Sequence, residues 1–141
     1  MNIFLDTSSL LKVYHREQDT DEILKLLSQE VENIYLSELA KIEFNSAVWK
    51  KVRTKEFIEV KAKEMITHFE NDYNNFLWIS IDKETISAAK ELIKTYGQDG
   101  LRTLDAIQLA CAVLKRNKIQ KYKTSDSTLK QIFIKEKLTV C

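Results

Sequence analysis

The chain has 141 residues, 44% of them hydrophobic and 30% charged, which is enough for one ordinary domain that buries its own core, so residues 1–141 are expected to form a single unit. Its 22 basic and 21 acidic residues leave a net charge of +1, which neither demands nor forbids a nucleic-acid partner. The two histidines exclude a site built from several imidazoles, the two glycines exclude glycine-rich phosphate loops, and the two cysteines make no disulfide framework.

No apolar run approaches the length of a membrane span, and a cytoplasmic location with free thiols is expected. The N-terminal stretch MNIFLDTSSLL carries no basic leader, and Asp6 interrupts its apolar residues, so it reads as a first strand over 2–5 rather than a signal peptide. Asp6 follows this strand and opens a helix. A second β-type run, 33–36, precedes Ser37, a plausible N-cap for a helix in which Leu39, Ile42, Ser46 and Trp49 trace the inward side. Glu43 sits beside that stripe.

The spacing of Ile58, Ala62, Met65, Phe69 and Tyr73 predicts a helix over 56–73, followed by a strand within 76–81. Ile86, Ala89, Ile93 and Tyr96 mark the next helix. Leu104, Ile107, Cys111 and Leu114 mark another, with Gly100 and Thr103 at its start and Asp105 in its first turn. Segment 120–124, QKYKT, is expected to be a strand from its place between two helices, although a buried parallel strand normally reads as Val, Ile and Leu. Asp126 then opens the last helix, and 138–140 is the fifth β-type run. Strands alternating with helices imply an α/β fold with a mainly parallel, five-stranded sheet covered by helices.

Ligands of such sheets bind beyond the carboxyl ends of the strands, where Asp6 and Asp126 arrive from different strands. Each alone is equally readable as an N-cap, Asp105 alone as a first-turn acid, and Glu43 alone as a partly buried glutamate. Their joint placement is what points to chemistry. Two carboxylates ~4 Å apart at an effective dielectric near 20 repel by roughly 4 kcal/mol, so four acids on one edge imply a divalent cation. All-oxygen ligation favours Mg²⁺ or Mn²⁺, and such an ion beside a phosphate suits phosphodiester hydrolysis.

The segments LDTSSL, S-E-L-x-x-x-E, LRTLDAIQLA and T-S-D-S-T-L resemble, in order and spacing, the PIN-domain nucleases, and among these the VapC-type toxin ribonucleases of toxin–antitoxin pairs. The resemblance implies a three-layer α/β/α fold, cleavage of RNA, and metal ligation by Asp6, Glu43, Asp105 and Asp126. It also implies supporting hydroxyls at Thr7 and Thr124, a homodimer, and a small antitoxin as partner. The polar run QKYKT departs from the family's usual aliphatic strand. Among basic residues, Arg102, Lys12 and Arg16 are candidates for phosphate contacts. Three other readings remain: a PIN nuclease of RNA maturation, a catalytically silent binding module, and a phosphatase with an aspartyl nucleophile. The last commonly needs an acid two residues after the first, where this chain has Ser8.

Overall fold

A computed structural model describes all residues, 1–141. In chain order the elements are β1 (Asn2–Leu5), α1 (Thr7–Tyr14), α2 (Thr20–Leu27), β2 (Asn33–Ser37), α3 (Leu39–Arg53) and α4 (Glu59–Asn71). There follow β3 (Leu77–Ile79), α5 (Lys83–Tyr96), α6 (Thr103–Leu114), β4 (Lys121–Lys123) and α7 (Ser127–Lys135). The strands form one parallel sheet in the order β3-β2-β1-β4.

Alternation along the strands sorts side chains into two layers of core. Phe4 and Tyr122 face α5, α6 and α7, where Phe4 meets Tyr122 and Phe133 at ring separations of 6.3 and 6.4 Å. Ile3, Leu5 and Leu36 face the other way, onto α1, α3 and α4, where Phe44 and Phe69 stack at 4.4 Å. Each such fully buried side chain contributes roughly 1.5–3 kcal/mol. The α/β/α layering expected from the sequence is therefore present, but with four strands instead of five. The fifth is reduced to a single parallel bridge between Val140 and Tyr122. The cause is local: β4 is three residues long, and its central Tyr122 bonds Thr139 and Cys141 through its N–H and C=O, with no ladder beyond.

β4 also explains how KYK serves as a strand. Tyr122 enters the aromatic core, whereas Lys123 projects to the opposite face and is buried except at its tip, where Nζ lies 3.2 Å from Glu22. The long stem covers apolar surface while the charge finds a carboxylate.

The helical stripes depart from expectation in phase in α3 and α6 and at single positions in α4 and α5. In α3 the buried positions are Leu39, Ala40, Phe44 and Val48, while Ile42 is 70% exposed. Ile58 is the N-cap of α4 and is 72% exposed, so only Ala62, Met65 and Phe69 of its stripe are buried. In α6 the buried run is Ala106 and Gln108 to Ala112, with Leu104 and Leu114 outside. Tyr73 lies in a separate short 3₁₀ turn, and Ile86 is exposed while Leu92 takes an inward place on α5. No helix is long and apolar enough to cross a membrane. Cys111 and Cys141 are free thiols.

Candidate metal centre

The carboxyl edge of the sheet is built by β1 and β4 together. The Asp6 N–H donates to Lys123 O across 3.2 Å, so the β1–β4 ladder runs on into the loop that carries the acid. Asp6 then caps α1: its Oδ1 accepts from the Ser9 N–H at 3.1 Å and the Ser8 hydroxyl at 2.7 Å, and its Oδ2 accepts from Thr124 Oγ1 at 2.6 Å. Its side chain is almost wholly enclosed. Burial disfavours the charged form more than these three donors favour it, and the charge of Asp105 adds to the effect, so the carboxyl is pushed up to about 6.

Asp126 likewise caps α7, its Oδ1 accepting the Leu129 N–H at 2.8 Å, while its own N–H is received by Thr124 Oγ1 at 3.0 Å. The capping role that the sequence offered for both acids is thus realised in each, and each keeps a second oxygen or its own N–H in contact with Thr124. Asp105 projects from the first turn of α6, whose first residue is Thr103 and whose preceding Arg102 makes no side-chain cap bond. It is half-buried, and its carboxyl is raised first by burial and then by the charges of Asp126 and Glu43, against which the Arg102 guanidinium works. Asp105 is thus the acid whose charge reaches the other three.

Glu43 is placed by α3 packing. With Phe44 and Ala40 turned into the core, Glu43 lies at the stripe's margin and turns across to α1 and α6. Its Oε1 accepts from the Thr7 hydroxyl at 3.0 Å and from the Gln108 amide at 2.7 Å. Gln108 also donates to Thr7 Oγ1 at 3.0 Å. The sequence did not single out Gln108. The signal available was a lone amide in an otherwise apolar helix, three residues after Asp105, which puts both on one helical face.

Thr7 donates to Glu43 and Thr124 to Asp6, so both hydroxyls touch candidate acids. The three basic candidates separate. Lys12 pairs with Asp19 at 2.8 Å and Arg16 with Asp21 at 2.5 Å. Arg102 has no ion-pair partner and, with Glu43, Asp105, Thr103, Leu104, Leu101 and Ile93, lines a cleft of about 660 Å³.

These acids do not draw together into a closed cage: no three of them are spaced as a ready set of direct ligands. A small hard cation, if one binds here, would take one or two of these carboxylates directly and keep several waters. The donor set is all oxygen, and the carboxyls of Asp6 and Asp105, raised first by burial and only then by neighbouring charge, would be drawn back toward their ionised forms by a cation.

A family model described as PIN domain matches residues 3–133. Among solved structures, the chain is similar to VapBC2 from Rickettsia felis bound to a promoter DNA fragment, at 17% identity over 100% of this chain and 98% of that one, with a TM-score of 0.69. It is similar to VapC20 from Mycobacterium tuberculosis, described as a sarcin-ricin loop cleaving toxin, at 14% identity, 92% and 94% coverage and a TM-score of 0.68. FitAcB from Neisseria gonorrhoeae aligns at 18% identity, 98% and 95% coverage and a TM-score of 0.66. At these identities the likeness is one of fold. No curated protein matches.

Proposed function

Because the chain belongs to the PIN domain family, we propose that it is a metal-dependent endoribonuclease, the toxin of a toxin–antitoxin pair, acting in the cytoplasm as a homodimer and held silent by a small antitoxin. The observation that supports the catalytic part is geometric: Glu43 and Asp105 line one cleft, and Thr124 ties Asp6 to Asp126, whose charge is felt at Asp105. The toxin part is supported by the VapC and Fit structures that share the fold over nearly the whole chain.

Asp6, Glu43, Asp105 and Asp126 would hold Mg²⁺ or Mn²⁺, some of them through water. When bound, the cation supplies positive charge to the scissile phosphate and acidifies water. The chain's own residues do the rest. Thr124 and Ser8 keep the Asp6 carboxylate in one orientation through its two oxygens. Arg102, free of any carboxylate partner, is placed beside Asp105 to take a phosphate of the incoming strand. The apolar wall of Ile93, Leu101 and Leu104 gives bases a surface to rest on. Retention of all four acids disfavours the silent-module reading, and Ser8, bonded to Asp6, fills the place an aspartyl phosphatase would give to its second acid.

The test is cleavage of single-stranded RNA with Mg²⁺ or Mn²⁺ by the parent and by Asp6→Asn and Asp105→Asn. The parent cuts and both folded variants do not. Growth arrest on expression, relieved both by Asp6→Asn and by coexpression of the neighbouring small gene, separates a toxin from an RNA-maturation nuclease.

A further inference from the structure

Gln108 is 2% exposed in the middle of α6, in a run of residues that are otherwise Ala, Ile, Leu and Cys. Both hydrogens of its amide are spent, one on Glu43 Oε1 at 2.7 Å and one on Thr7 Oγ1 at 3.0 Å. The Thr7 hydroxyl donates in turn to the same Glu43 oxygen. The opposite amide orientation would set a carbonyl oxygen against the carboxylate, acceptor to acceptor, so the nitrogen must face Glu43. The consequence is that Gln108 Oε1 has no partner, and it is the one buried side-chain oxygen or nitrogen in the chain of which this is true.

A residue kept for packing would not leave this orphan. A methionine of the same length would fill the space with no unsatisfied atom. What Gln108 does and a methionine cannot is fix a long, flexible glutamate. Two donors converge on Glu43 Oε1, from α1 and from α6, while Oε2 receives none. The carboxylate is thereby held with one oxygen occupied and the other free.

We infer that Gln108 is a positioning residue that clamps Glu43 Oε1 so that Oε2 is presented to the cation. This rests on the reading of the cleft as a divalent-metal site. Asp6, Asp105 and Asp126 sit at strand ends or in helix first turns, where the backbone aims them, and two of them cap helices with their own side chains. Glu43 projects from the second turn of α3 and has no such constraint. The clamp replaces it.

The test is Mn²⁺ binding by calorimetry to the parent, Gln108→Met, Glu43→Ala and the double variant, with melting in EDTA alongside. Gln108→Met weakens Mn²⁺ binding about tenfold or more, as loss of a group that orients a metal ligand does. In the Glu43→Ala background the same change costs less than twofold, because its effect passes through Glu43. Any melting loss of Gln108→Met in EDTA likewise shrinks in the Glu43→Ala background, since the bond to the carboxylate is already gone, whereas a packing role would give the same loss in both. Parent-like Mn²⁺ affinity in Gln108→Met, or an equal fold-loss in both backgrounds, overturns the clamp. The second measurement needs no variant at position 108: the side-chain amide resonances of Gln108 shift between the parent and Glu43→Ala, and unchanged resonances overturn the clamp as well. A parent that binds no Mn²⁺ sinks the metal-site reading instead, and the resonance comparison then decides the clamp by itself.

Discussion

Thr124 holds Asp6 and the start of α7 with a single oxygen, donating to Asp6 Oδ2 across 2.6 Å and accepting the Asp126 N–H at 3.0 Å. One hydroxyl at the end of β4 thus fixes the relative position of two acids that lie far apart in sequence. Thr124→Val keeps the shape and removes both bonds. A hydrogen bond to a charged group is worth about 2 kcal/mol, so urea unfolding above pH 7 is expected to show a loss of that order. The loss shrinks near pH 5, where Asp6 holds its proton. A pH-independent loss would mean that the bond to the carboxylate is not the stabilising contact.

Asp6 itself sets a pH dependence in metal-free buffer. Its carboxyl titrates at about 6 in the folded chain against 3.8 in the unfolded one, so between these values the native state binds more protons. Stability therefore falls as pH rises from about 4 to about 6 and levels off above, by at most about 3 kcal/mol from this group. Asp105, also raised, acts in the same direction. The measurement is denaturant unfolding of the parent and Asp6→Asn in EDTA at both ends of that range. The parent is expected to lose stability relative to the variant as pH rises. Mn²⁺ binding runs the other way and strengthens through the same range, since the cation needs the deprotonated acid.

Replacing Asp105 by Asn removes the charge that Asp126 and Glu43 repel, and with it part of the upward push on Asp6. In EDTA the variant is expected to melt above the parent, by an amount on the order of 1 kcal/mol. With saturating Mn²⁺ the order reverses, because the parent gains binding energy that the variant lacks. A variant less stable than the parent in EDTA would show that the acids are too far apart to repel.

Arg102 and Lys12 should behave differently under mutation. Arg102→Ala removes an unpaired guanidinium at the cleft and is expected to weaken RNA binding uniformly across sequences, lowering the salt-dependence slope by about one counterion with little change in melting temperature. Lys12→Ala breaks the pair with Asp19 at a largely buried position and should register mainly as lost stability. Equal salt slopes for the parent and Arg102→Ala would remove Arg102 from the interface.

Much of this geometry was legible because the topology of a parallel sheet dictates it. Asp6 and Asp126 could be placed from the residues alone: each stands directly after a strand, and a parallel sheet sends both to the same edge. Asp105 followed from a helix start. Glu43 was reached by a stripe with the wrong phase, since Ile42 faces solvent and Phe44 faces the core. It lies at the margin of either stripe, so both phases leave it at the edge of the core. Gln108 is silent in the sequence, because an amide within an apolar run carries no signal of its partners until α1 and α3 are in place. The fifth strand was overstated for a related reason. Residues 138–140 have strand composition, but pairing depends on β4, and only Tyr122 is available there. Lys123 reads as a polar interruption in sequence. Its burial depends on Glu22, about a hundred residues away on α2.

The proposed site draws acids from the end of β1, from α3 and α6, and from the start of α7 onto one cation. Calorimetric Mn²⁺ titration of the parent and of Asp6→Asn, Glu43→Gln, Asp105→Asn and Asp126→Asn tests it most directly. The expected result is measurable binding by the parent and a loss of about tenfold or more in each folded variant. Binding by Asp6→Asn or Asp105→Asn as tight as the parent's would contradict it.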